Sequence, residues 1–375
     1  MHKKLLFKIH LILGLTAGVV LLIIGLTGAI LSFETEILNS INKNSYVVEA
    51  KNSTKLSTKD LLEKFQEKLP NSKINALTFY QDEESSFVIN VAGEGKEARK
   101  GVNYYINPYT AEILPNIKGE GFFKFVENIH RRLALGDVGK QIVAISVVSL
   151  LLLMISGIYI YWPRIKHAFL SSLTFKFKHK GRAFLSTMHS ALGLWVIPFY
   201  LLSSLTGLTW SYEWYNNSLY SIAGVQKEKR MPPSDQKNDM NKGANIQVSY
   251  ENIQRAVELF DKNVDSYEKS NIRFNSDKGV YTLNYLSKNS SHDRALNKIE
   301  LNIETNEVLK HEKFEDKPLK EQLLKSILAL HTGEYFGIIG KIAMFITSSL
   351  MALFTITGFM MYIQRKRKKK NKEVV

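Results

Sequence analysis

The sequence contains no cysteine. Disulfides, iron–sulfur clusters, thiolate-ligated haem and zinc fingers are therefore excluded, and any metal centre has to be built from His, Met, Asp, Glu or Tyr. Nucleotide-binding signatures are missing too: no G-x-G-x-x-G follows a strand pattern and opens a helix, and there is no P-loop, H-E-x-x-H or nucleophile elbow. Neither hydrolysis nor a built-in nicotinamide or flavin domain is supported. Acids are almost absent from three short segments. The tail before residue 9, the connector 163–188 and the tail after residue 363 hold sixteen Lys or Arg against Glu373 alone, which accounts for the whole formal net charge of +15.

Apolar residues are concentrated in four blocks, at about 9–33, 141–162, 189–212 and 338–363. Each is long enough to cross a hydrocarbon core of about 30 Å as a helix. Lys3, Lys4 and Lys8 precede the first block, which runs past the length of a signal-peptide core and shows no small-x-small site before Glu34, so it reads as an uncleaved signal anchor. Four spans put both termini on one side, and the basic segments flanking them mark that side as cytoplasmic. Their position beside spans also argues against a nucleic-acid partner and for the lipid bilayer.

The expected order is a tail with the first span (1–34), an extracytoplasmic domain (35–125), and an interfacial helix with the second span (126–163). A basic cytoplasmic loop (164–188), the third span (189–213), a second extracytoplasmic domain (214–325), an interfacial segment with the fourth span (326–363) and a basic tail (364–375) follow.

The spans are related in pairs. His10, Thr27, Gly28 and Glu34 recur at a constant offset as His189, Thr206, Gly207 and Glu213, while His130, Gly139, Lys140 and Gly157 recur at a second offset as His331, Gly340, Lys341 and Gly358. Such repeats predict two halves about a pseudo-twofold axis. Histidines at equivalent points can face each other across it, and two facing imidazoles are what a six-coordinate haem iron requires. Pairing like with like predicts an inner site of His10 and His189 and an outer site of His130 and His331. Gly14 and Gly193, four residues after the inner histidines, leave a bare patch on the same helical face. His2, His167, His179, His292 and His311 lie in polar surroundings and are read as solvated.

The two large loops are built alike. In the first, Ser57 with Asp60 opens an amphipathic helix that stops at Pro70, and alternating strands follow near 73–81, 86–92 and 101–106, with a last strand through Leu114. In the second, a polar linker at 226–244 precedes a helix at 250–260 and strands near 271–274, 280–286 and 298–303. Residues 105–114 match 301–309 through Asn107/Asn302, Thr110/Thr305 and Glu112/Glu307. The fold class is thus an integral membrane protein of four transmembrane helices in two pseudo-twofold repeats, with two extracytoplasmic small α+β domains.

These motifs, HLILGL...LTGAILSFE, HRRLALGDVGK...SGIYIYWP, HSALGL...LTGLTWSYEW and HTGEYFGIIGK...TGFMMYIQR, closely resemble the PepSY-associated transmembrane family of iron-regulated membrane proteins, over nearly the whole chain. The loops resemble PepSY domains through the Tyr-x-Asn-Pro-x-Thr element that ends at Leu114. In the second loop Ile303 and Asn306 stand where that turn more often has Pro and Gly, which implies a degenerate second domain. Family members with an assigned activity are haem-containing inner-membrane reductases of ferric siderophores.

The resemblance implies a di-haem (haem b) electron-transfer protein of the bacterial cytoplasmic membrane that reduces ferric iron, as a siderophore or other ferric chelate. Lacking a nucleotide domain, it would take electrons from an external donor, a quinol or a cytoplasmic reductase. Haem propionates call for cations, which makes Arg131, Arg132, Lys140 and Lys341 candidates at the outer haem. Glu34 and Glu213 are read as helix-end carboxylates, and the aromatic residues near span ends as an interfacial belt. The alternative is a non-redox PepSY membrane protein that binds peptides or restrains a partner such as a peptidase. A permease is disfavoured because the spans offer no evident polar path.

Overall fold

Helix α1 occupies His2–Leu31, α2 Glu34–Ile41 and α3 Thr58–Lys68, followed by strands β1 (Ile74–Tyr80), β2 (Phe87–Val91) and β3 (Val102–Ile106). Next come α4 (Glu120–Arg132), α5 (Gly136–His167), α6 (Gly181–Ser211), α7 (Glu213–Ala223) and α8 (Tyr250–Asn263). Strands β4 (Lys269–Arg273), β5 (Val280–Leu286), β6 (Asn297–Asn302) and β7 (Glu307–Glu312) lead to α9 (Leu319–Lys325), α10 (Ile327–Thr332) and α11 (Gly337–Glu373). The computed structural model describes residues 2–50, 54–95, 100–227, 249–274 and 279–373. Most of the linker expected at 226–244 lies outside the described residues.

Four helices, α1, α5, α6 and α11, are long and apolar enough to cross a membrane. The chain is a multi-pass membrane protein with a separate antiparallel sheet region. All four helices run beyond their apolar blocks into the basic segments. Helix α5 continues through Pro163 to His167, with Arg164, Lys166 and His167 in its last turn. Cations there complement the negative end of the helix dipole and favour the extra turn. The four helices close a ring in which α1 packs on α5 and α11, and α6 packs on the same two. They form one compact unit with α4 and α10; residues 35–118 and 223–326 form the other.

In the sheet unit each loop supplies a helix and a small antiparallel sheet, as its alternation predicts. The two small α+β units join edge to edge. Strands β1 and β4 pair antiparallel, Leu77 with Ile272 and Thr78 with Asn271, so both sheets merge into one of seven strands in the order β3-β2-β1-β4-β5-β6-β7. The physical reason is edge pairing: a lone three-stranded sheet would leave the N–H and C=O groups of β1 open, and β4 satisfies them. Helices α3 and α8 lie side by side on one face and share a single core with the strands. Leu61, Phe65, Leu77, Ile89, Ile253, Phe260, Ile272, Leu283 and Ile299 are fully buried there.

Local signals match the expected ends. Oγ of Ser57 accepts the amide of Asp60 at 3.0 Å, and Oγ of Ser249 accepts that of Asn252 at 3.4 Å. The two matched turns close alike. Asn107 Oδ1 accepts from the Tyr109 amide, and Asn302 Oδ1 accepts from the Glu304 amide, both at 2.9 Å. Ala111 and Asn306 then take left-handed backbone, with φ of 56° and 54°. Asparagine tolerates that conformation, so replacing glycine at Asn306 does not abolish the turn.

Candidate cofactor site

His130 lies near the end of α4 and turns its ring onto α1. Nδ1 is 3.0 Å from the carbonyl oxygen of Ile24 and 3.1 Å from Oγ1 of Thr27. His331, on α10, meets α6 in the same way, with Nδ1 3.0 Å from Oγ1 of Thr206. These two imidazoles, from opposite halves of the chain, come within 6.3 Å between ring centroids at an interplanar angle of 69°. Trp210 packs its edge on His331 at 5.3 Å. Burial holds both rings below the usual histidine range, and His331, which also feels His130, falls to about 4. At neutral pH both are uncharged, so each keeps a lone pair.

Towards the basic end, His10 Nδ1 is 2.9 Å from Oγ of Ser156, and His189 Nδ1 is 2.8 Å from Oγ1 of Thr357. One device therefore occurs four times: a Ser or Thr followed by Gly, at Thr27-Gly28, Ser156-Gly157, Thr206-Gly207 and Thr357-Gly358, receives each histidine. A Cβ at Gly28, Gly157 or Gly207 would sit 3.1, 3.4 or 3.3 Å from Cε1 of its histidine, so glycine lets the ring lie flat on the helix. Sequence reasoning recorded the glycines and Thr27 and Thr206 but missed Ser156 and Thr357. The signal was present as the recurring triplets LTG, ISG, LTG and ITG.

The hydroxyls also fix the tautomer. Those of Thr27, Ser156, Thr206 and Thr357 each donate to the carbonyl four residues earlier, at 2.7, 2.7, 2.6 and 2.7 Å. With its proton spent, each oxygen has only acceptor capacity left, so Nδ1–H of the histidine is the donor. Nε2 then carries the lone pair. None of the four Nε2 atoms has a hydrogen-bond partner among the described residues, and none is sealed into the packing. Metal-ligating histidines characteristically hold their second nitrogen in this way.

His10 and His189 line one cavity of about 300 Å³ enclosed by α1, α5, α6 and α11. Its walls are largely apolar, with Leu21, Leu153, Met154, Val196 and Phe354, and carry five glycines, Gly14, Gly18, Gly157, Gly193 and Gly358. A Cβ at Gly14 or Gly193 would meet nothing closer than 3.9 Å, and at Gly358 nothing within 4 Å. A flat apolar group can use this space. Among the described residues no three His, Asp or Glu converge as a site for a bare metal ion; the donors come as paired imidazoles. Haem takes just such a pair of nitrogen donors. The donor set fits haem.

The model of the family described as PepSY-associated TM region matches residues 7–365. The chain belongs to this family. No curated protein matches it.

In this PepSY-associated TM region chain the expected cations are placed unevenly. Arg131 pairs with Glu127 at 2.7 Å and Arg132 with Asp137 at 3.5 Å, all with half or more exposed side chains or nearly so. Their charge is taken up locally. Lys341 lies over the Phe33 ring at 5.9 Å, and Lys140 is half-buried near the start of α5. The glycines before these lysines have a packing role: a Cβ at Gly139 or Gly340 would collide with the carbonyl oxygen of Arg132 or Gly333. Glu34 and Glu213 lie beyond the span ends and begin α2 and α7, where a carboxylate complements the helix dipole. Partial burial and the nearby Glu127 and Glu120 push the Glu34 carboxyl up.

One histidine outside the site corrects the solvated reading. His292 is only 5% exposed; its Nε2 bonds Ser326 Oγ at 2.8 Å, and its Nδ1 accepts the Arg294 amide at 3.1 Å. His311 Nε2 bonds the Tyr285 hydroxyl at 2.6 Å. Polar neighbours in sequence hid the burial of His292 against the α9 end, while His311 stays exposed on β7. Both His292 nitrogens are spent, so it is a structural clamp.

Proposed function

We propose that this protein is a di-haem electron conduit of the bacterial cytoplasmic membrane that reduces ferric iron, presented as a siderophore or other chelate, on the outer side. The observation that carries this reading is the fourfold arrangement of histidines whose Nδ1 is held by a neighbouring helix while Nε2 is left without a hydrogen-bond partner among the described residues. His10 with His189 would hold one haem b and His130 with His331 the other, in two pseudo-twofold halves. Along α1, His10 and the Thr27 that holds His130 are seventeen residues apart, about 26 Å, which is close to the hydrocarbon thickness. The sites thus sit near opposite faces. The basic end would face the cytoplasm with both termini, and the sheet unit the outside.

Haem held by these imidazoles would supply one-electron exchange. The chain's own residues do the rest. Ser156, Thr357, Thr27 and Thr206 fix ring orientation and tautomer, apolar walls exclude water, and the glycines admit a flat macrocycle. One electron from a quinol or a cytoplasmic reductase would enter at the basic end, and one Fe(III) outside would become Fe(II). Ferrous iron binds hard oxygen ligands less tightly, so the chelate releases it. A visible spectrum of protein purified from haem-replete cells tests the reading: sharp split α-bands on reduction are expected. A colourless protein would refute it and favour the peptide-binding alternative.

A further inference from the structure

The cavity around His10 and His189 has only two charged lining residues besides its histidines, Arg182 and Arg365, and no carboxylate. Both stand at the basic end, exposed at the start of α6 and towards the end of α11. Neither has an ion-pair partner among the described residues, and Arg365 lies flat over Phe7 with its guanidinium carbon 4.9 Å from the ring centroid. This contrasts with the other end, where Arg131 and Arg132 are matched by acids. Arg182 precedes His189 by seven residues on α6, and Arg365 follows Thr357 by eight on α11, distances of about 10 and 12 Å by helical rise. A porphyrin centre lies roughly 8 Å from the carboxylates at its edge by ordinary bond lengths, so an arginine side chain bridges the remainder.

Two unpaired guanidiniums at one end of an apolar, glycine-lined slot match a flat body with two carboxylates on one edge. We infer that Arg182 and Arg365 clamp the two propionates of the haem held by His10 and His189, fixing it with its anionic edge towards the basic end. The inference rests on the haem reading above and adds the orientation of the group and the residues that set it. Bidentate guanidinium–carboxylate pairing is the strong form of this contact.

The test uses full-length apo-protein carrying His331→Ala, made without haem and titrated with haem or with haem dimethyl ester, which lacks the carboxylate charge. Soret absorbance reads binding. The chain with both arginines should bind haem about tenfold or more tighter than the ester, and Arg182→Gln with Arg365→Gln should level the two. Lysine at both positions should restore part of the preference, and unchanged ester affinity in the Gln variant reports an intact fold. Equal affinities with both arginines present, or an undiminished preference in the Gln variant, would overturn the clamp. Binding of neither porphyrin would overturn the haem reading with it.

Discussion

Thr206 accepts the Nδ1 proton of His331 at 3.0 Å while its own hydroxyl proton is spent on the Leu202 carbonyl at 2.6 Å. The threonine thus acts as a pure acceptor. Thr206→Val keeps the volume but removes that acceptor, leaving a buried N–H to turn elsewhere. Loss of such a partner weakens metal affinity about 10–100-fold, so the variant should lose haem at the outer site while the inner one stays loaded. Haem per protein by pyridine haemochrome, with Thr206→Ser as the rescuing control, checks this.

Placing the histidines as two pairs predicts separable spectra. His10→Ala or His189→Ala should remove one haem and leave the other, and His130→Ala or His331→Ala should remove the complementary one. Low-temperature spectra of the reduced variants decide the matter. Equal loss in all four would mean one cooperative site, and His292→Gln should leave both haems in place.

Much of this was legible because it repeats. A constant offset linked His10 to His189 and His130 to His331, and the length of the apolar blocks found all four spans. Ser156 and Thr357 escaped because a Ser in one half and a Thr in the other break the identity that marked the other partners, although both keep the hydroxyl and the following glycine. Arg182 and Arg365 were hidden inside basic runs explained by topology alone. The β1–β4 seam joins residues nearly two hundred positions apart, and alternation in a strand says which face is buried, not which strand lies beside it.

The seam makes the sheet unit one cooperative body. Leu77 and Ile272 face each other across it and both are fully buried. Leu77→Ala should cost about 2–5 kcal/mol and weaken the second loop as well as its own. Hydrogen exchange of full-length protein in detergent checks this: β5 and β6 should lose protection along with β2. Loss confined to β1–β3 would mean two independent halves.

His292 gives the sheet unit an acid sensitivity. Burial holds its imidazole below the ordinary value of 6.5, ahead of smaller opposing effects of Asp293 and Arg294. In that window the unfolded chain binds the proton more readily than the folded one, so stability rises with pH. The clamp contributes in full above about pH 6.5 and is lost progressively as the pH falls towards the lowered folded value. Exchange protection of residues 288–297 should therefore drop between pH 7 and pH 5. His292→Gln should flatten that dependence; an unchanged slope would assign it to other groups.

Direction of transfer is the prediction on which function rests. If electrons enter at His10 and His189 and leave by His130 and His331, a chain lacking only the outer haem should still be reduced from the basic side but should not pass electrons on. The charges of Lys140 and Lys341, the cations expected at the outer haem, would favour the less positive, reduced iron there, while Arg131 and Arg132 add little because Glu127 and Asp137 offset them. The clamp proposed for Arg182 and Arg365 is likewise offset by the two propionates it holds. Proteoliposomes loaded with an internal reductant and given an impermeant ferric siderophore outside provide the measurement. Orientation is sorted first by protease access to the sheet unit. The parent should reduce the external chelate, and His130→Ala and His331→Ala should each cut the rate at least tenfold while the inner haem still bleaches on reduction. Undiminished external reduction in those variants would refute the relay even with both haems present in the parent.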